Sequence, residues 1–192
     1  MKLFKGTKGL IILGVLACLV IGYYIYLNTR HYEPPEDTAP VYTIVQETLL
    51  RNLEKDYPPT PREVIKYAAD LNRCYYNEEH TDEELAALVQ KERGLYDAEL
   101  LAYNSESSQL SHIALEIEAF KNENYYISEV TFSQSLDVQE FTEDGYEWAV
   151  LYARYKTRQN TYYYMTSYTY LLRKDDAGHW KIYGWKVDED DE

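Results

Sequence analysis

Cysteine is scarce in this chain, which has two cysteines among 192 residues. Cys18 lies inside a continuous apolar run and Cys74 lies in the polar part of the chain, so the two cannot form a disulfide. We expect Cys74 to be a small buried hydrophobic residue; a reactive thiol or an intermolecular bridge is the alternative. The chain is therefore not a disulfide-stapled small domain.

Histidine is also scarce, and the four histidines lie far apart in the sequence: His31, His80, His112 and His179. No two are spaced as ligands on one element, so the sequence predicts no metal site. GxSxG, Walker, HExxH and glycine-rich phosphate-binding motifs are missing, which leaves the common hydrolase, nucleotide-binding and zinc-protease functions without support. We predict no catalytic residue and no cofactor.

Basic residues are outnumbered, with 19 lysines and arginines against 33 acidic residues and a formal net charge of −14. The first thirty positions hold four of the basic residues and no acid, so the rest of the chain carries 15 basic against 33 acidic residues. Such a domain repels nucleic acid and anionic lipid headgroups, and neither is an expected partner. A cationic or neutral ligand stays open. Residues 189–192 are read as an acidic, solvated tail.

The chain has one long apolar run, Gly9 to Leu27, which carries no charge and would span about 28 Å as a helix. Three lysines precede the run and Arg30 follows it, which predicts that residues 1–8 are cytoplasmic and that the rest is exported. Tyrosines at the far end of the run are typical of the outer aromatic belt of a spanning helix. We therefore predict a single-pass membrane anchor at residues 9–27.

Two other interpretations of this run are a cleaved signal peptide and a lipoprotein signal. A cleaved signal peptide is disfavoured because the run is longer than a usual signal and no small-residue cleavage site follows it. Val15 to Cys18 loosely resembles a lipoprotein signal, but cleavage there would leave a strongly apolar mature N-terminus. Lipidation of Cys18 is the less favoured alternative.

Residues 28–40 are polar and proline-rich, and we expect a short stiff spacer there. Apolar spacing over Val41 to Leu53 predicts a first helix of about four turns. Thr60-Pro61 begins a second helix, which ends near Asn77. Thr81 begins a third, and Gly94 is expected to weaken that helix without ending it. A fourth helix follows the serine-rich break at 105–108.

After Asn124 the apolar period changes to two, which is typical of strands. Asp144-Gly145 predicts a hairpin turn, Gln159-Asn160 a second turn and residues 175–179 a third. The sequence thus predicts an α+β domain over residues 41–188, with helices packed on a curved four-stranded antiparallel sheet.

The C-terminal hairpin, YTYLLRKDDAGHWKIYGWKV, resembles the last two strands of the nuclear transport factor 2-like superfamily, whose members curl a sheet around helices into a cone. Residues 41–188 are similar to an uncharacterised group of bacterial single-pass membrane proteins that carry such a domain, and LLRKDDAGHWKIYGW is the distinctive part. The resemblance implies a pocket inside the cone. In enzymes of this superfamily, a carboxylate or histidine base beside a tyrosine or aspartate proton donor works in such a pocket. The four predicted helices before the first strand are more than this superfamily usually has there. We therefore interpret the first helix as an added element beside the membrane.

The segment NTYYYMTSYTYLL, residues 160–172, holds five of the 22 tyrosines. Alternation along a strand places four of them on one side, and the neighbouring strand adds a tryptophan and a tyrosine in one phase. The register between the two strands is not determined by the sequence. The candidate ligand-binding or interface residues are Trp148, Tyr152, Tyr162, Tyr164, Tyr168 and Tyr170.

Three interpretations of these aromatic residues stay open: packing in the core, a homodimer through the sheet, and a platform or pocket for a sugar or small molecule. The expected function is a membrane-anchored, extracytoplasmic, non-catalytic binding or assembly module of the bacterial cell envelope, with an envelope ligand or protein as partner. The alternative is a small-molecule enzyme of the isomerase or dehydratase type that uses the pocket inside the cone.

Overall fold

A computed structural model describes residues 41–188 together with Tyr23. The chain divides into two compact units, and nearly all of the described residues belong to Tyr42–Glu192. No helix within residues 41–188 is long and apolar enough to cross a bilayer. Apart from Tyr23, four predicted segments lie outside the described residues: the N-terminus 1–8, the anchor 9–27, the spacer 28–40 and the tail 189–192.

In residues 41–188, five helices precede five strands, and the helices pack on a curved antiparallel sheet, so the domain is α+β. The helices are α1 (Ile44–Leu49), α2 (Pro61–Asn77), α3 (Asp82–Arg93), α4 (Ala98–Tyr103) and α5 (Glu106–Asn122). The strands are β1 (Tyr125–Phe132), β2 (Gln139–Glu143), β3 (Tyr146–Gln159), β4 (Tyr162–Lys174) and β5 (Trp180–Val187), with a 3₁₀ turn at Ser135–Asp137.

The predicted starts of the two main early helices are confirmed. The Thr60 side chain accepts a hydrogen bond from the Glu63 amide, and proline occupies the first position of α2. Thr81 and Glu84 form a complete capping box at the start of α3. These bonds satisfy backbone amides that have no partner within a helix. Cys74, on the apolar side of α2, is buried as expected, and burial raises its pKa.

Helix α1 is shorter than the predicted four turns and ends at Leu49. Val41, which the spacing assigned to the buried side, is 98% exposed. Three residues after the end of the helix, the side-chain oxygen of Asn52 accepts a 2.9 Å hydrogen bond from the Glu54 amide. An asparagine side chain bound to nearby backbone in this way competes with continuation of a helix.

The prediction that the third helix continues through Gly94 is wrong. Helix α3 ends at Arg93 with Gly94 as its cap, and α4 is a separate short helix. A β-carbon on Gly94 would lie 2.8 Å from Leu53 Cδ1, so a larger residue here would displace the Leu53 side chain. Beyond it the backbone joins the sheet through Ile182, which bonds to Leu95 and Asp97 at 2.8 and 2.9 Å.

The sheet has five strands, and the prediction of four is wrong. β3 has 14 residues, and two separate strands pair with it along the same edge. β1 pairs with the C-terminal half of β3 and β2 with the N-terminal half. Between them Ser133 is fully buried and its hydroxyl accepts a 2.9 Å hydrogen bond from the Tyr152 amide. The single strand that was predicted to pair with β3 is therefore two strands, β1 and β2.

The predicted turn at Asp144-Gly145 is confirmed, and the second turn lies one residue later than predicted, at Asn160-Thr161, because β3 continues to Gln159. Asp144, Gly145 and Asn160 all have positive φ, of 52°, 81° and 55°, a conformation that aspartate, asparagine and glycine tolerate best. Strand order in the main path is β1-β3-β4-β5, with β2 beside β3. The C-terminal strands therefore form the expected antiparallel meander.

The structure determines the register that the sequence left open. Ala153 pairs with Tyr168 and Leu151 with Tyr170, so these four side chains lie on one face of the sheet. We call this the inner face, because its β3 and β4 members are mostly buried with the helices in one core: Ala149, Leu151, Ala153, Tyr155, Tyr168, Tyr170 and Leu172. The outer face carries the alternate residues: Trp148, Val150, Tyr152, Thr169, Leu171 and Arg173.

Candidate functional site

A cavity of about 760 Å³ lies between the helices and the inner face of the sheet. Its walls come from α2, α3 and α5 on one side and from β1, β3, β4 and β5 on the other. The lining residues of α5 are mostly exposed, so the cavity opens along that helix. Most of the large side chains in the wall are aromatic: Tyr75, Tyr76, Tyr96, Phe120, Tyr125, Tyr155, Tyr168, Tyr170 and Trp185.

Glu92, in the last turn of α3, is the buried acid of this cavity. The Tyr75 hydroxyl donates a hydrogen bond to Glu92 Oε2 at 3.1 Å, and the Gln109 amide donates to the same oxygen at 3.0 Å. The Tyr96 hydroxyl is a third partner of the carboxyl group. Helices α2, α3 and α5 are therefore joined at one carboxyl group.

Gln109 is held in one orientation by Arg93. Arg93 Nη1 donates to Gln109 Oε1 at 3.0 Å and to the Asn104 carbonyl oxygen at 2.8 Å. Since the amide oxygen of Gln109 accepts from arginine, its NH₂ group points at Glu92. Gln109 Nε2 also donates to the Tyr96 hydroxyl at 3.3 Å. The arginine thus acts on Glu92 through an amide and keeps its own charge out of the cavity wall.

Burial raises the pKa of Glu92 from its ordinary value of 4.5 to about 7. The three hydrogen bonds to the carboxylate act in the opposite direction, and the negative charge of Glu116 adds to the effect of burial. A carboxyl group in this range exchanges its proton near neutral pH. Burial likewise raises the pKa of Tyr75 and Tyr96 well above the usual value, so both hydroxyls stay protonated.

A second polar group lies on the inner face of the sheet. Asn72 Nδ2 donates to the Tyr155 hydroxyl at 3.1 Å, and the Tyr155 and Tyr170 hydroxyls are hydrogen-bonded to each other. Tyr155 also packs edge-on against Tyr168, with 5.5 Å between ring centroids. Burial raises the pKa of both bonded tyrosines, so this part of the wall is polar but uncharged.

Glu116 lies at the open side of the cavity, with 46% of its side chain exposed. The Tyr76 hydroxyl donates to Glu116 Oε2 at 2.8 Å, and His112 Nε2 lies 3.2 Å from Glu116 Oε1. Phe120 packs against Tyr76 and Tyr125, with ring centroids 4.8 and 5.3 Å apart. The opening therefore combines a carboxylate with a row of three rings.

The six candidate aromatic residues do not form one site. Tyr168 and Tyr170 line the cavity, and Tyr164 packs edge-on against the lining residue Tyr125 at 6.1 Å. Tyr162 is 69% exposed beside the turn that joins β3 to β4. Trp148 and Tyr152 lie on the outer face.

Glu92 and Glu116 were not among the candidates. A signal for Glu92 existed in the sequence, since it follows Leu85, Leu88 and Val89 at the helical spacing of the buried face of α3. An acid in that position predicts a buried carboxyl group. Within residues 41–188, no three histidine, cysteine or acidic side chains come together as ligands for a metal ion.

The fold and the cavity define an α+β domain with a pocket between its helices and its sheet. The sequence model of one family, a domain of unknown function (DUF6715), matches residues 1–185. The chain belongs to this family. A search of curated proteins finds no match.

Proposed function

We propose that residues 41–188 form a binding module that holds a small molecule in the cavity, and that residues 9–27 anchor it to the membrane of a bacterial cell with the domain outside the cytoplasm. The observation that carries the binding proposal is the cavity itself, about 760 Å³ lined with aromatic rings around a buried carboxyl group. Helices followed by a meander, with a pocket between them, support membership of the nuclear transport factor 2-like superfamily.

The cavity differs from an ordinary protein core. Interiors are close-packed, and voids larger than a water molecule are few. Ligand pockets have volumes of about 300 to 1,000 Å³ and combine apolar walls with a few convergent polar groups. Glu92, Tyr96 and Gln109 supply such a polar group. Burying an acid costs stability that a neutral side chain would not cost, which favours a role in binding.

The binding proposal is tested by filling the cavity from α5. Ala119 lines the cavity and Ala114 lies outside the wall on the same helix, and both are exposed. The full-length protein in a nonionic detergent is screened by NMR against a fragment library. We expect fragments to shift signals of lining residues, Ala119→Trp to abolish those shifts, and Ala114→Trp to leave them. Fragments that bind equally to both variants would contradict the proposal.

The location is tested by protease treatment of intact cells. We expect residues 41–188 to be degraded while a cytoplasmic marker survives. A domain that stays intact while known exterior proteins are cleaved would refute the extracytoplasmic proposal. The anchor has a separate readout, because deletion of residues 1–27 should move the protein from the membrane fraction to the soluble fraction.

An isomerase or dehydratase is the second candidate, and Glu92 is the observation that favours it. A carboxyl group with a pKa of about 7 beside tyrosine hydroxyls can take a proton from the carbon next to a carbonyl group and return it to another carbon. The test incubates the protein with simple ketones in D₂O and follows deuterium incorporation by NMR. Catalysed exchange that is lost in Glu92→Gln supports the enzyme. If no exchange above background occurs, the enzyme candidate is excluded and the binding module remains the proposed function.

A further inference from the structure

The cavity wall carries negative charge without balancing cations of its own. Three acidic side chains line it, those of Glu92, Glu116 and Glu123. Among residues 41–188, no lysine or arginine lines this cavity. His112 is the basic side chain in the wall, and it pairs with Glu116. An anionic ligand would meet repulsion here and no partner charge, whereas a cation would meet attraction.

The aromatic rings of the wall add to this attraction. The face of an aromatic ring is electron-rich and draws cations within about 6 Å of its centroid. Elsewhere in the domain, lysines and arginines already lie over ring faces, and none of the rings concerned lines the cavity: Tyr57, Tyr67, Tyr126, Phe132, Tyr146, Trp148, Tyr163, Trp180 and Tyr183. These lysines and arginines of residues 41–188 thus lie over rings that do not line the cavity.

The hydrogen bonds of the wall leave acceptors for a ligand. Tyr75 and Tyr76 direct their hydroxyl protons at Glu92 and Glu116. The amide protons of Gln109 are likewise directed at Glu92 and Tyr96. Carboxylate oxygens accept several hydrogen bonds each, so both glutamates can take further donors. A ligand that brings N–H donors and positive charge complements this arrangement.

We propose that the ligand of this cavity is an organic cation, in which an ammonium or guanidinium group binds between the glutamates and the rings and an apolar body fills the aromatic wall. This inference rests on the proposed binding function and names the chemical class of its ligand. The body contacts the inner-face rings Tyr168 and Tyr170, and the charged group lies toward Glu92 and Glu116.

The test uses three probes of similar shape and different charge: phenethylamine, phenethyl alcohol and phenylacetate. Binding to the full-length protein in detergent is measured by NMR titration of lining residues. We expect the amine to bind at least about tenfold more tightly than the alcohol, and phenylacetate not to bind. Glu116→Gln should weaken the amine about tenfold and leave the alcohol unchanged. The matched control is Glu118→Gln, an exposed acid on the same helix outside the wall, which should change neither.

The outcomes separate this inference from the function on which it rests. If the protein prefers the amine and this preference disappears in Glu116→Gln, the proposal of a cationic ligand is supported. If the alcohol or phenylacetate binds as tightly as the amine or more tightly, the proposal of a cationic ligand is overturned, while the proposal that the cavity binds ligands stands. If no probe and no library fragment shifts a lining signal, both the cation and the binding function are overturned. Equal loss of amine binding in Glu116→Gln and Glu118→Gln would mean that overall charge, and not the cavity, attracts the amine.

Discussion

The two faces of the sheet use the same residue type in different ways. On the outer face, Arg173 lies over the rings of Tyr146, Trp148 and Tyr183, at 4.7, 5.5 and 5.0 Å from their centroids. On the inner face, tyrosine rings line a cavity whose charges are carboxylates. Arg173 thus covers rings on the outer face, whereas no lysine or arginine of residues 41–188 lines the cavity beside the inner-face rings. The neighbouring charge, and not the tyrosine, distinguishes the two faces.

The strongest expected effect is on the outer face, from Arg173→Met. Arg173 makes two hydrogen bonds to buried Asp97, of 3.0 and 2.6 Å, and one to Glu99 of 2.7 Å. Removing the guanidinium leaves the Asp97 carboxylate buried and unpaired, so we expect the free energy of unfolding to fall by about 3 kcal/mol. Chemical denaturation measures it.

Lys174→Met is the control for that variant. Lys174 makes a 2.9 Å pair with Glu147, and both side chains are more exposed than those of the Arg173–Asp97 pair. A surface pair of this kind contributes about 0 to 1 kcal/mol. Equal losses in both variants would show that stability depends on general charge balance and not on the Arg173 cluster.

The next effect comes from Glu92, which lines the cavity between the helices and the inner face, and it depends on pH. Because Glu92 has a pKa of about 7 in the folded protein against an ordinary 4.5, the folded state holds this proton more tightly than the unfolded chain. Stability from this group is complete below about pH 4.5 and is lost as the pH rises through 7, a change of up to about 3 kcal/mol. Tyr75, Tyr96, Gln109 and Glu116 are the groups around it.

Glu92→Gln removes this titration. We expect the free energy of unfolding of the variant to vary less between pH 4.5 and 7 than that of the parent protein, by about 2 to 3 kcal/mol. Denaturant unfolding at several pH values provides the measurement. Parallel pH profiles for the two proteins would mean that the carboxyl group titrates normally, and the description of Glu92 as a buried acid would then be wrong.

A smaller effect compares single hydroxyl groups on the two faces. Tyr155→Phe removes the acceptor of Asn72 and a partner of Tyr170, so we expect a loss of about 1 kcal/mol. Tyr152→Phe, on the outer face, changes a side chain that is 44% exposed and should alter stability by less than about 0.5 kcal/mol. Thermal unfolding distinguishes them, and a larger loss from Tyr152→Phe would reverse the assignment of the faces.

The smallest expected effect on stability comes from substitutions on the outer face that test it as a dimer interface. These substitutions should change self-association directly. The homodimer proposed from the sequence would use the exposed outer residues, among them Tyr152, Tyr163 and Met165. Sedimentation of the full-length protein in detergent should show self-association that Tyr152→Ser with Tyr163→Ser weakens without unfolding. Unchanged sedimentation of the folded double variant would exclude this face.

Local features were predictable from the sequence, and pairing features were not. The caps at Thr60 and Thr81 and the turn at Asp144-Gly145 depend on bonds within four residues, so the sequence predicted them correctly. The end of the third helix at Gly94 was misjudged because the backbone after it pairs with Ile182, far away in the chain. The division between β1 and β2 was missed because it depends on where each strand pairs along β3.

By itself, the sequence determined the α+β class, the starts of α2 and α3, the hairpin turn at Asp144-Gly145 and the alternation that divides the tyrosines between two faces. The tertiary structure alone decided which face lies under the helices, and it separated Trp148 and Tyr152 from Tyr168 and Tyr170. It also brought Glu92 together with Tyr75 and Gln109, from two other helices. The physical reason is that alternation and capping act over a few residues, whereas strand register and the burial of an acid depend on contacts between distant parts of the chain.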